Sequence, residues 1–253
     1  MYNDARKGNL MRVAFISDIH ANFTALQAVL ADIKSQGADQ IICLGDTVCL
    51  GPQPVETLDS LKDLKGIYIR GNHDQALLDP ANTAQYEIAE NLTPDLHRCR
   101  ERLTPDDIEF IKSFKISYGF NFPNGIQLLA FHGSPISTTD IIQSNTPPEL
   151  LDKYFAGQDA SVFIGGHSHI QMYRRYGKKL ILNSGSVGSA FEFIYSPGNT
   201  PRLLHWAEYT IIEQSRNSFH VDLRRVHFDT TALLKIIQES NLPGKAWWLK
   251  QYQ

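Results

Sequence analysis

Five times along the chain, a short run of Ile, Val, Leu and Phe ends directly in a cluster of small and polar residues. The runs are residues 12–17, 40–44, 66–70, 126–131 and 161–164. The clusters are Asp18-Ile19-His20, Gly45-Asp46, Gly71-Asn72-His73-Asp74, His132-Gly133 and Gly166-His167-Ser168-His169. Runs this short and apolar read as buried strands. In α/β sheets, ligands collect beyond the carboxyl ends of strands, where loops far apart in sequence converge. The pattern therefore predicts one crevice lined by all five clusters.

The segments between the runs set the fold class. Over residues 22–36, Phe23, Leu26, Val29, Leu30 and Ile33 recur at helical spacing, and Gly37 supplies a stop. Residues 54–64 are a shorter helix with Pro54 in the first turn. A βαβαβ opening implies α/β layers. Residues from about 80 to 114 lack strand character, and Thr104-Pro105-Asp106-Asp107 marks a helix start, so this stretch is read as a helical insertion beside the crevice.

Beyond Ile170, strands at 170–176, 179–182, 203–212 and 219–228 alternate with turns at Gly177 and Pro197-Gly198, a pattern that predicts antiparallel pairing. Phe219, Val221 and Leu223 share one parity and Val226 and Phe228 the other, so a bulge near Arg224-Arg225 is expected to keep all five on one face. Asp229 caps a helix through Ile237. Trp247, Trp248 and Tyr252 read as a terminal helix packed on the body, with a homo-oligomer contact as the second reading. No repeat or linker divides the chain. Residues 1–10 read as an extension with Met11 as a candidate start, and 11–253 as a single domain whose C-terminal strands and helix occupy about 190–253.

Composition narrows the function classes. The chain has 253 residues and a formal charge of −3, so no overall basic field favours general nucleic-acid binding. Nothing in it is long and apolar enough to span a membrane. Cys43, Cys49 and Cys99 are too few and scattered for a disulfide framework or a Cys-rich zinc site, which fits a cytoplasmic location.

Across the five clusters, imidazole nitrogen combines with carboxylate and amide oxygen and no thiolate. Such a set suits Mn, Fe, Zn, Co or Ni better than an all-oxygen Ca or Mg site, and so many ligands call for two ions. Asp-x-His, Gly-Asp, Gly-Asn-His-Asp, His and Gly-His-x-His in this order resemble the calcineurin-like metallophosphoesterase superfamily. The resemblance implies an α/β fold in which two mixed β-sheets form a sandwich flanked by helices, αββα. It also implies two divalent ions, manganese foremost, with Asp18, His20, Asp46 and His169 on one and Asp46, Asn72, His132 and His167 on the other. His73 would protonate the leaving group and Asp74 would orient its ring and raise its pKa. Two ions about 3.5 to 4 Å apart activate a hydroxide and clamp the attacking and leaving oxygens of an in-line displacement.

Arg70 is read either as a clamp on a phosphate oxygen, beside Asn72, or as a strand-end ion pair. Asn22 is read first as the cap of the following helix and second as a donor to a metal-bound carboxylate. Asn183-Ser184-Gly185-Ser186-Val187-Gly188 is similar to a stretch that follows the last metal motif in small bacterial members. The protein phosphatases of the superfamily continue the second motif with Asp-Arg, where this chain has Cys49-Leu50. That departure points to the small bacterial and archaeal group resembling phosphodiesterases and dinucleoside polyphosphate hydrolases. The expected substrate is a small phosphodiester or nucleotide. Phosphomonoester hydrolysis, or a non-catalytic scaffold on the same fold, stands as the alternative.

Overall fold

The computed structural model describes residues 10–194, 200–215 and 218–253. Of the proposed 1–10 extension, all but Leu10 lies outside the described residues, as does the Pro197-Gly198 turn.

One sheet is built from β1 (Met11–Ile16), β2 (Gln40–Cys43), β3 (Ile67–Tyr68), β9 (Trp206–Gln214) and β10 (Phe219–His227), in the order β10-β9-β1-β2-β3. The other contains β4 (Tyr118–Asn121), β5 (Gln127–Ala130), β6 (Val162–Gly165), β7 (Met172–Tyr176) and β8 (Lys179–Asn183), in the order β4-β5-β6-β8-β7. Both are mixed: β1-β2-β3 and β5-β6-β8 run parallel, with antiparallel strands outside them.

Alternation along β1 explains the layering. Val13 and Phe15 point between the sheets, where they meet Leu128, Ile164 and Leu182. Ala14 and Ile16 point the other way, against Leu26, Val29 and Ile33 of α1 (Phe23–Gln36). With both faces covered, the strand reads as a continuous apolar run. On the far side, Phe163 and Ile181 pack on Leu151 and Tyr154 of α6 (Pro148–Tyr154), which gives the expected αββα order.

Local chemistry fixes the helix ends. Asn22 Oδ1 accepts from Ala25 N at 3.0 Å and starts α1, and Gly37, in the left-handed region at φ 66°, stops it. Pro54 opens α2 (Pro54–Asp63), Thr104 and Asp107 form a capping box on α5 (Pro105–Lys112), and Asp229 caps α7 (Thr230–Glu239). The 80–114 stretch contains two short 3₁₀ turns, α4 (Thr93–Arg102) and α5. The remaining helices are α3 (Asn72–Leu78) and α8 (Lys245–Lys250). Among the described residues no helix is long and apolar enough to cross a membrane.

Two expectations fail on topology. Pairing of β10 with β9 is continuous from Phe219↔Gln214 to His227↔Trp206, so there is no bulge. Phe219 and Val221 enter the core between the sheets, whereas Val226 and Phe228 pack on the α1 side. The parity changes because the covering layer changes along the strand. Nor is the second half purely antiparallel: β8 pairs in parallel with β6. A crossover through β7 carries it there, and local patterning does not encode that step.

Candidate metal centre

The five clusters meet as predicted. Asp18, His20 and His169 form one group of ligand atoms and Asp46, His132 and His167 another, each within 4.8 Å internally. Asp46 links them, its Oδ2 lying 3.4 Å from His132 Nε2 and 3.8 Å from His20 Nε2. Asp18 Oδ1 is 3.3 Å from His169 Nε2. The amide of Asn72 joins the second group with Oδ1 3.2 Å from His132 Nε2, because its Nδ2 donates to Tyr86 O at 2.9 Å.

The donor set fits divalent metal. Nδ1 of His20, His132 and His169 faces the carbonyls of Cys49, Leu44 and Ser189 at 3.1, 2.9 and 2.8 Å. Each carbonyl takes the Nδ1 proton and turns the Nε2 lone pair inward, the arrangement of metal-ligating histidine. In the neutral form a ligand requires, His20 and His169 then present two lone pairs to each other at 3.1 Å. A cation between them resolves that repulsion. Asp18 Oδ1 is buried with no hydrogen-bond partner, a further position for a positive charge.

Protonation follows the same field. Burial holds His20 down to about 3 and His167 down to about 4, so both are neutral. Burial also opposes charge on His132, but Asp46 and Asp18 outweigh it and raise the group to about 9. For Asp18, burial is overcome by His169 and His132, leaving the carboxyl below the usual range. These carboxylates stay ionised and draw protons, or a metal, to the ring nitrogens.

The backbone is unusual here. Asp18, His20, Asp46, His167 and His169 all occupy the left-handed region, with φ between 48° and 65°. For residues with a Cβ this costs about 1 to 3 kcal/mol each, sustained only where surrounding contacts over-determine it. The 183–188 stretch supplies such contacts: Ser186 Oγ donates to Asp18 O, Ser184 Oγ to Phe15 O and Asn183 Nδ2 to Ser168 Oγ. A Cβ on Gly166 would lie 1.9 Å from Ser17 Oγ and 2.6 Å from Asp18 Oδ2. Gly166→Ala is accordingly expected to lower metal content below two ions per chain and to reduce stability by about 1 to 3 kcal/mol. Elemental analysis and thermal unfolding check it, and a fully loaded variant of normal stability would refute it.

Three assignments change. Asp74 does not touch the His73 ring. Its Oδ2 accepts from the Asp46 and Gly71 amides, both at 2.9 Å, and its Oδ1 from Thr47 N and Oγ1 at 3.0 and 2.7 Å. It pins the second-motif loop to the start of α3. His73 Nδ1 is left without a partner, and burial, only partly offset by Asp46, holds this imidazole below its ordinary value rather than above it. Arg70 donates through Nη2 to the carbonyls of Lys112 and Phe114 at the end of α5, Arg70 Nε is buried without a partner, and the residue is not among those lining the cavity.

Sequence reading missed a buried brace on the second motif. Leu50 N donates to Asp95, and Arg98 ties Asp95 to Gly51 O. Cys49 and Leu50, which break the protein-phosphatase pattern, thus sit where α4 grips the loop.

His20, Asp46, His73, His167 and His169 line a cavity of about 510 Å3. Glu87 and Asn91 from the 80–114 stretch, and Trp247 and Trp248 from α8, form its walls.

Residues 11–194, well over half of the chain, match the calcineurin-like phosphoesterase superfamily domain. An uncharacterized protein of Methanocaldococcus jannaschii is 28% identical over 236 residues, spanning 91% of this chain and 93% of the relative. A metallophosphoesterase from Sphaerobacter thermophilus superposes with a TM-score of 0.72 at 24% identity, covering 95% and 98% of the two chains. A hypothetical protein from Pyrococcus horikoshii superposes at 0.76 and 20% identity, over 95% and 96%. These two establish likeness of fold. From the ordered motifs and the matched domain, the chain belongs to the calcineurin-like phosphoesterase superfamily.

Proposed function

We propose that the protein hydrolyses small phosphodiesters or nucleotides at a binuclear metal centre, with residues 11–253 acting as one domain. The observation that carries this reading is the placement of Asp46 Oδ2 between the two ligand groups, with His73 on the same cavity wall. Asp18, His20, Asp46 and His169 would hold one ion and Asp46, Asn72, His132 and His167 the other. Bound there, the ions would supply Lewis acidity and a nucleophile at neutral pH. Manganese is the first ion to test.

The chain's own groups do the rest. The Leu44, Cys49 and Ser189 carbonyls hold three imidazoles in the ligand tautomer. Asp74 holds the Asp46-Thr47 turn in register with α3. Burial holds the His73 imidazole below its ordinary value, and the negative charge of a phosphate ester in the cavity would act in the opposite sense. A proton on this cavity-lining ring would be available to a departing alkoxide, the general-acid task.

Steady-state rates of the manganese-loaded protein on bis(4-nitrophenyl) phosphate and 4-nitrophenyl phosphate test the proposal. The diester is expected to be the better substrate. A large preference for the monoester would overturn the diester reading, and inertness toward both, together with stable capture of a protein partner, would indicate a scaffold.

A further inference from the structure

Part of the cavity lining, including Leu203, Trp247, Trp248 and Gln251, comes from beyond the matched 11–194 domain. Trp247 and Trp248 are set edge to face, with centroids 4.7 Å apart and planes at 77°. Phe191, whose ring lies 4.5 Å from that of His169 and is tilted 32° to it, and Leu50 extend this apolar surface toward the ligand groups. Gln251 follows α8 on the same wall. Its carbonyl accepts from Leu203 N at 2.8 Å, so its backbone is anchored, yet its side chain is 2% exposed and neither Oε1 nor Nε2 has a partner. A buried amide without partners forfeits its hydration for nothing in return unless a ligand completes it.

Charge limits what the ligand carries. Among the described residues no lysine or arginine lines the cavity, and Glu87 places a carboxylate on its wall. Among the described residues the lining thus offers no cation of its own to a second or third phosphate. A flat, uncharged ring suits the aromatic wall, since stacking on tryptophan tolerates any base. An amide offers one donor and one acceptor side by side, the complement of a nucleobase edge such as adenine N6 and N7.

We infer that the cavity takes a phosphodiester of a nucleoside monophosphate, its base against Trp247 and its edge paired with the Gln251 amide, and that it rejects dinucleoside polyphosphates. This assignment rests on the phosphodiesterase reading above and narrows it to one substrate class. Gln251 and Trp247 are then specificity determinants contributed by the C-terminal segment.

The test uses the manganese-loaded full chain with the 4-nitrophenyl ester of adenosine 5′-monophosphate, ethyl 4-nitrophenyl phosphate and diadenosine tetraphosphate. The wild type is expected to favour the nucleoside ester over the ethyl ester by about tenfold or more in kcat/KM, and Trp247→Leu and Gln251→Leu each to lower that ratio about tenfold. Adenosine 5′-monophosphate, but not inorganic phosphate, should quench tryptophan emission, and Trp247→Leu should remove the effect. Gln251→Leu should melt no lower than the wild type, because the amide has no protein partner to lose.

A ratio near one, equal slowing of both esters in the variants, or preferred cleavage of the tetraphosphate would overturn the inference while leaving a phosphodiesterase. A lower melting temperature for Gln251→Leu would make its role structural and remove it from base recognition. If neither diester is cleaved, the phosphodiesterase reading fails first. Quenching by adenosine 5′-monophosphate then decides the base site separately, and its absence overturns it.

Discussion

An Asp46→Asn variant is expected to lose both metal ions and nearly all turnover. Asp46 is 1% exposed, and its Oδ2 faces ligand nitrogens of both groups. Despite burial, its carboxyl is held well below the usual range by His132 and His73, so the position is an anion in the folded protein. Asparagine keeps the size and can still accept from His73 N through the atom replacing Oδ1, a bond of 2.9 Å in the parent. It removes the charge and leaves an amide where two cations would share an oxygen. Even in excess metal, kcat should fall by about 10² to 10³, the scale of losing one preorganised electrostatic stabiliser. Elemental analysis beside steady-state kinetics provides the check, and two ions per chain with near-normal turnover would reject Asp46 as the bridge.

His73→Gln is expected to separate chemistry from metal binding. The His73 ring lines the cavity and stands edge-on to His20 at 5.2 Å, yet it belongs to neither ligand group. Metal content should therefore stay at the wild-type level. Loss of a general acid removes about 10² to 10⁴ in rate, and least where the leaving group needs no proton. An alkyl phosphodiester should suffer most and a nitrophenyl diester least. Comparing kcat for the two esters at saturating metal decides the matter. Equal slowing accompanied by metal loss would make His73 a ligand or a structural residue.

The loop chemistry was largely readable from residue order. Each strand that carries a ligand is apolar on both faces because one side meets the other sheet and the other side meets a helix, so its end is marked by the first polar residue. That is why Asp18, Asp46, Asn72, His132, His167 and His169 could be named together. The Asn22 and Asp229 caps were equally legible, being local hydrogen bonds made within three residues of the cap.

What residue order did not reveal shares a different property: it depends on main-chain atoms or on partners distant in sequence. The carbonyls of Leu44, Cys49 and Ser189 choose the histidine tautomers, and a carbonyl is the same at every residue. Left-handed backbone at five ligand-bearing positions is held by bonds from residues as distant as Ser186. Asp74 and Arg70 sit beside the chemistry in sequence, but both bond to groups that their own neighbourhood in the sequence does not announce. Four donors saturate the Asp74 carboxylate, and the open end of α5 draws the Arg70 guanidinium.

Strand placement divides in the same way. Alternation within β10 is a property of its residues, and the parity change was visible. Which layer covers each half is set by packing, and that turned an expected bulge into a regular strand. Trp247, Trp248 and Gln251 illustrate the limit most clearly. Nothing within residues 245–251 separates a terminal helix resting on the body from one that walls a cavity. Residue chemistry thus specified the candidate metal ligands and the layers, because strand burial and donor type are local properties. Packing alone chose the tautomers, the loop conformations and the far wall of the cavity, because these arise from contacts between segments far apart along the chain.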